Sequence, residues 1–288
     1  MIFQKRGCMP LFFFWVKFPF SFLGGSCIIK DNGFPMKSKR ENQEHRDQKE
    51  RMQERLKKWN RQKLQEWFPV WAILPLLSIL LLNCIVYWGG AALTSSRYHF
   101  DFTTGLDRAV PLLPSFVWIY ILAFPFWAAN YLMAARRGKE IFYRFVATDL
   151  LVHISCFVIF LAVPTTNLRP EIAGNTLSEK VLLLVYAMDG GSAPSNLLPS
   201  IHCYVSWLCY RGLKGAREIP VWYQRFSLVF ASLIVVSTQV LKQHYLVDAV
   251  AGILLVELAW HFFQKRSRYR KIMEIYETIN QKQMGEEL

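Results

Sequence analysis

The feature that most constrains this chain is a series of apolar runs, each close to the length needed to cross a bilayer. A transmembrane helix needs about 20 predominantly apolar residues to span the hydrocarbon core. Six runs approach that length, at Phe68–Gly90, Pro114–Ala135, Phe142–Val163, Leu197–Leu213, Phe226–Leu241 and His244–Phe263. In hydrocarbon every backbone polar group must be satisfied internally, so such runs become helices. The expected fold is all-α, a polytopic bundle of six transmembrane helices. The fourth run is the weakest, being short with Arg211 at its end. Only a polar turn around Lys242 and Gln243 separates the fifth from the sixth, which reads as a helical hairpin. Pro75 and Pro125 lie inside the first two runs, where a membrane helix kinks instead of ending.

Between these runs the chain is basic. It carries a net charge of +13 beside 53% hydrophobic residues. Here Lys and Arg punctuate charge-free runs instead of lying along folded faces, which argues for a membrane protein and against a nucleic-acid binder. The same residues orient the chain, because Lys and Arg near span ends are retained in the cytoplasm. Arg136-Arg137-Gly138-Lys139, the segment from Lys214 to Arg225, and the run from Gln264 to Lys271 all fall on one side if there are six crossings. The charged segment before the first run falls there too. Both termini are thus expected in the cytoplasm. The outer side of the cell membrane receives Ala91–Leu113, Pro164–Asn196 and the hairpin turn.

Four segments follow. Residues 1–35 form an extension with Lys5-Arg6 before an apolar run, but Lys17 interrupts it and no small-residue cleavage site follows. An overlong start, with Met36 as the real beginning, is the expectation. Residues 36–66 have no Pro or Gly after Lys37 and are expected to form a charged cytoplasmic helix. Residues 67–263 hold the membrane domain, and residues 264–288 a basic then acidic tail. Cys84, Cys156, Cys203 and Cys209 lie in or beside apolar runs without C-x-x-C spacing, so they read as small buried hydrophobes.

Ionisable groups near the mouth of a span are costly to retain without a partner, which makes each a functional candidate. Three clusters fall at outer mouths: Pro164 to Pro170 with Arg169, Asn196 to His202 with Ser200, and Lys242 to Asp248 with His244. His244 and Asp248 are four apart, on one helical face, where a carboxylate can hold an imidazole in one tautomer and stabilise its positive form. Pro199 fixes the backbone before a helix start. Ser200 can cap that helix while its free N–H groups face an anion, with His202 in the first turn beside it. Arg169 offers a planar donor fork suited to phosphate. Two histidines, an aspartate and cations on one face are the parts needed to bind a phosphate, attack phosphorus and protonate a leaving oxygen. A metal site from the same residues is disfavoured by the neighbouring cations.

Arg169-Pro170, then Pro199-Ser200-x-His202, then Ser237 with His244 and Asp248, resemble the three signature motifs of the type-2 phosphatidic acid phosphatase superfamily. The resemblance runs over roughly residues 106–260. The segment Leu106 to Pro111, Asp189, Asn196 and the His244-Tyr245-x-x-Asp248 form look most like the branch of inositol phosphorylceramide and sphingomyelin synthases. The resemblance implies a membrane enzyme acting on a lipid phosphate. His244 would be the nucleophile that becomes a phosphohistidine, Asp248 would orient it, and His202 would be the general acid. Arg169 and the Ser200 region would cradle phosphate, with Asn196, Asp189 and Ser237 in support. No metal or organic cofactor is implied. Water would complete a phosphatase cycle and a second alcohol a phosphotransferase cycle. A non-catalytic lipid binder or transporter on the same helices would be expected to have an eroded His/His/Asp set, and here it is intact.

Two positions depart from the pattern. Ala162 stands where the first motif has a lysine, and Thr238 where the third has an arginine. Lys242, four residues after Thr238, would lie on nearly the same face one turn closer to His244 if that helix persists, and could replace the second cation as a phosphate-binding group.

Overall fold

The computed structural model describes residues 49–53, 55–56, 69–191 and 194–285. The chain divides into two compact units, Met1–Glu66 and Trp67–Leu288. In the first, the described residues are helical and exposed, within the expected charged helix. The 1–35 extension lies outside the described residues. In the second unit, nearly all the regular structure is helical.

Helix α1 covers Val70–Thr94. It enters through a 3-10 turn after Pro69 and contains a π-helical segment at Ile85–Gly89. After a two-residue strand β1 (Phe100–Asp101) and the short α2 (Gly105–Ala109), α3 runs Val117–Arg136. Its entry turn begins with Pro114, whose missing N–H is harmless at a helix start. Gly138, at φ 93°, reverses the chain into α4, Lys139–Ala162. Strand β2 (Thr165–Thr166) pairs in parallel with β1, Phe100 opposite Thr165, and so ties together the segments that follow α1 and α4.

Helix α5 (Leu177–Met188) starts on a capping box of Thr176 and Glu179. Then come α6 (Ile201–Leu213), α7 (Val221–Val240), α8 (Leu246–Phe262) and α9 (Arg266–Gly285).

Among the described residues, four helices are long and apolar enough to cross a membrane: Val70–Thr94, Pro114–Arg136, Lys139–Ala162 and Val221–Val240. A fifth is added if α8 and α9, bent by 92° at their junction, count as one broken span. At 1.5 Å per residue, the 13 residues of α6 reach only about 20 Å and the 17 of α8 about 25 Å. The outward faces carry Leu77, Leu81, Ile154, Val158, Val229, Val236, Leu254 and Leu258, all exposed. Water does not tolerate so continuous an apolar exterior, and lipid does. The chain is a helical membrane protein.

Residues 266–285, within the expected tail, form a helix. Tyr269, Met273 and Tyr276 recur on one face of α9, and the first two are buried against Tyr143, Ala147 and Phe263. Asn280 donates to the Trp71 carbonyl at 2.9 Å, and the Lys139 ammonium meets Glu277 at 2.6 Å. This segment is a helix docked on α1 and α4. The four cysteines meet expectation: Cys156, Cys203 and Cys209 are buried, Cys84 is partly buried, and all four are free thiols.

Candidate active site

The three segments assigned by charge to one side meet at one end of the bundle. Asn167 donates to the Lys242 carbonyl at 3.1 Å, Leu113 N–H to the Val240 carbonyl at 2.9 Å, and Tyr186 OH to the Leu241 carbonyl at 2.6 Å. Asp107 accepts from Leu246 N–H at 2.9 Å through one carboxylate oxygen and from Thr104 through the other. Burial alone would raise the Asp107 carboxyl. The hydrogen bonds from Thr104 and Leu246 and the charge of Lys242 outweigh it and hold the group below its ordinary value.

Ser200 caps α6 as its position suggests, its hydroxyl accepting from Cys203 N–H at 3.3 Å. Its own N–H donates to the Asp248 carbonyl at 3.1 Å, which fastens the start of α6 to the first turn of α8. That approach requires Gly252, because a Cβ there would lie 2.8 Å from the Ser200 carbonyl oxygen. The result is two histidines side by side. The rings of His202 and His244 are 6.3 Å apart between centroids. Asp248, itself buried, places Oδ2 3.4 Å from His244 Nδ1 and accepts from Tyr245 N–H at 2.9 Å.

An aromatic wall from α3 backs His202. Tyr120 stacks on its ring at 4.4 Å, with Trp127 at 5.1 Å and Phe124 at 6.0 Å. Trp127 is fixed by an indole hydrogen bond to Ser206 at 2.8 Å.

Arg169 is buried beside this pair, and its fork is occupied by protein. One terminal nitrogen donates to the carbonyls of Tyr186, Asp189 and Gly191 at 3.2, 3.0 and 2.8 Å. The other donates to the Asp189 carboxylate and, at 2.5 Å, to Gln243 Oε1. The Tyr186 ring lies 4.5 Å beneath the guanidinium. Burial pulls Arg169 down to about 10, which leaves it cationic at neutral pH.

Lys242 is directed elsewhere. The helical face that would bring it towards His244 ends at Val240, and Lys242 stands outside the helix at φ 54°. Its ammonium donates to the carbonyls of Asp107 and Val110, at 2.7 and 2.5 Å. Burial lowers its pKa and Asp107 partly restores it.

The supporting residues divide. Asp189 joins the arrangement through Arg169. Asn196 reaches the Tyr87 carbonyl in the π-helical segment of α1 at 3.0 Å, and so anchors the approach to Ser200. Ser237 returns its hydroxyl to the Ile234 carbonyl at 2.7 Å within α7.

Several polar atoms here are buried without a hydrogen-bond partner among the described residues: Arg169 Nε, Gln243 Nε2, His202 Nε2 and His244 Nδ1. Buried polar groups are ordinarily satisfied, so such a concentration marks a place built for a ligand with acceptors. Among the described residues there is no group of three or more His, Cys, Asp or Glu side chains able to hold a metal ion.

Sequence reasoning missed Gln243 and the wall of Tyr120, Phe124 and Trp127. The wall residues recur at helical spacing in the second apolar run, a signal indistinguishable from lipid-facing aromatics until the facing helix is known. A glutamine in a turn carries no signature, and only its place directly before His244 could have drawn attention.

No curated protein and no solved structure matches the chain. The family model of the PAP2 superfamily matches residues 94–262, a stretch that begins at the end of α1 and contains His202, His244, Asp248, Arg169 and the wall. With more than half of its length so matched, the chain belongs to the PAP2 superfamily, a family of phosphatases and phosphotransferases.

Proposed function

We propose that this protein is an integral-membrane lipid phosphate phosphatase working through a phosphohistidine on His244, with its site on the extracytoplasmic side of a six-span bundle. The observation that carries the proposal is the pairing of His202 and His244 at 6.3 Å between ring centroids, with Asp248 behind the second. Asp248 favours the Nδ1–H tautomer of His244, which leaves the Nε2 lone pair as nucleophile. Attack forms an N–P bond as the P–O bond to the lipid alcohol breaks. His202, whose ring centroid lies 6.3 Å from that of His244, delivers the proton to the departing oxygen. Water, with His202 now as base, then cleaves the N–P bond and releases phosphate. Asp189 and Arg169 hold each other, Ser200 presents the α6 terminus to the anion, and Lys242 fixes the turn that carries His244. Charge distribution supports both termini in the cytoplasm, and α6 and α8 complete the six crossings as short spans.

A second reading, a headgroup phosphotransferase, is favoured by one observation. Arg169 is already paired with a carboxylate and the Lys242 ammonium with carbonyls. A monoester, with close to two negative charges at neutral pH, finds the terminal donors of Arg169 and Lys242 already engaged, whereas a diester brings one charge to satisfy. The resemblance to the branch of inositol phosphorylceramide and sphingomyelin synthases points the same way.

The test is phosphate release and headgroup transfer by purified protein, with phosphatidic acid, lipid diphosphate and phosphodiester lipids as donors, with and without diacylglycerol as acceptor. His244→Ala is expected to lower either activity by roughly 10³-fold or more, and acid-labile radiolabel should be trapped on the wild type alone. Release without acceptor supports the phosphatase, transfer with little release the transferase. Neither activity across the panel would leave a non-catalytic lipid binder or transporter as the better account.

A further inference from the structure

Gln243 stands one residue before His244 in the turn between α7 and α8, and it is 1% exposed. Its backbone N–H donates to the Thr238 carbonyl at 2.9 Å, the same carbonyl that receives His244 N–H at 3.1 Å. The two residues therefore share one support and keep a fixed relation to each other. The side-chain amide is oriented as well. Arg169 can only donate, so the atom that meets it at 2.5 Å has to be the amide oxygen. The amide nitrogen is thereby turned away from Arg169. It is buried and without a hydrogen-bond partner among the described residues, as is Arg169 Nε beside it.

The groups expected to hold phosphate are otherwise engaged. The terminal nitrogens of Arg169 serve three carbonyls, Asp189 and Gln243. Lys242 serves two carbonyls, and the Ser200 hydroxyl serves Cys203 N–H. Donor capacity remains at Arg169 Nε and at the amide nitrogen that Arg169 has turned away from itself, and the amide belongs to the residue directly before His244. We propose that Gln243 is a substrate-binding residue, its Nε2 donating to a non-bridging oxygen of the phosphoryl group that His244 attacks, while Arg169 acts as the positioning residue for that amide. This rests on the phosphoryl-transfer reading above. In a site shielded from water, a fixed neutral donor stabilises an anionic oxygen without itself having to be desolvated as a charge.

The decisive variant is Gln243→Glu. It keeps the shape of the side chain and an oxygen for Arg169, but replaces the donor with an oxygen that repels phosphate. Purified full-length protein in detergent would be tested with inorganic phosphate as a ligand, read by thermal unfolding. A short-chain lipid phosphate, dioctanoyl phosphatidic acid or dioctanoyl phosphatidylglycerol, whichever the wild type turns over, would serve as substrate. The expected result is a variant that unfolds at the wild-type temperature without phosphate, loses stabilisation by phosphate, and falls about 100-fold in kcat/KM. A Gln243→Glu protein that binds phosphate and turns over lipid like the wild type overturns the assignment and leaves the phosphoryl-transfer reading standing. A wild type that neither binds phosphate nor acts on either lipid overturns both. Should the glutamate variant not fold, Gln243→Asn withdraws the donor by one methylene and is expected to lose at least tenfold in kcat/KM, whereas unchanged turnover would equally sink the proposal.

Discussion

The membrane domain holds two aspartate–histidine pairs at the same four-residue spacing, and the structure treats them in opposite ways. Asp149 and His153, in the middle of α4, are both buried, with Oδ1 and Nδ1 3.0 Å apart. Tyr131 of α3 donates to the other Asp149 oxygen at 2.6 Å. Tyr204 of α6 meets His153 Nε2 at 2.6 Å, and Asn83 of α1 approaches the same nitrogen at 3.3 Å. The inner pair joins four helices, and its Asp149 Oδ1, like His244 Nδ1, has no hydrogen-bond partner among the described residues beyond the ion pair itself. In the outer pair Asp248 lies 3.4 Å from His244 Nδ1, that nitrogen makes no hydrogen bond among the described residues, and the neighbouring His202, Arg169 and Gln243 each have an unpartnered buried nitrogen. A His–Asp pair at helical spacing is thus no evidence of chemistry in itself. What separates the two is the surroundings of the imidazole: His153 Nε2 is met by Tyr204 and Asn83, whereas nitrogens of His202, Arg169 and Gln243 around His244 are left unmatched by protein.

The contrast predicts different responses to substitution. The largest effect on stability belongs to Asp149→Leu, which leaves His153 and Tyr131 without their carboxylate partner. We expect about 3–5 kcal/mol lost, with the double variant Asp149→Leu/His153→Leu recovering much of it. Thermal unfolding in micelles measures both, and an unchanged midpoint for the single variant would remove the distinction drawn here. Tyr204→Phe, which deletes one hydroxyl of the inner network, should cost about 1–3 kcal/mol. In the outer cluster the effect moves from stability to turnover. His202→Phe removes the unpartnered Nε2 together with the 3.5 Å contact of Nδ1 with the Tyr120 hydroxyl, so its midpoint should stay within about 1 kcal/mol of the wild type while turnover falls roughly 10²–10⁴-fold.

The smallest effect concerns pH. Because the Asp107 carboxyl is held below its ordinary value, its contribution is present above the unfolded pKa and fades as pH falls through the lowered one. Asp107→Asn should therefore flatten the acid limb of the stability profile, lowering stability at neutral pH while leaving it close to wild type below the lowered pKa. A steep acid limb retained in that variant would assign the titration to another group.

The sequence reading found the outer pair and passed over the inner one for a physical reason. Charge counting places span mouths, and His244, His202 and Arg169 stand at mouths. Asp149 and His153 are submerged in an apolar run that remains hydrophobic enough to be read as an uninterrupted span. The helix boundaries were legible because Pro114, Gly138 and the charged loops bracket them, and the Ser200 cap was legible because capping is local. The fate of Arg169 and Lys242 was not. Their partners are backbone carbonyls of Tyr186, Asp189, Gly191, Asp107 and Val110, and a carbonyl is present at every position, so no residue type announces it. The docked α9 was hidden by its charge, since a stripe of three side chains suffices to bury it.

Gly252 gives the arrangement a particular kind of robustness. Because α8 touches the Ser200 carbonyl through a residue without a side chain, the gap between His202 and His244 is gauged by main chain against main chain. Drift in the surrounding side chains leaves that gauge alone. The wall of Tyr120, Phe124 and Trp127 meets His202 through side chains alone, and so governs how the ring is turned and not how far its backbone stands from His244. The glycine thus fixes a distance and the rings an angle, two settings that substitutions can disturb separately.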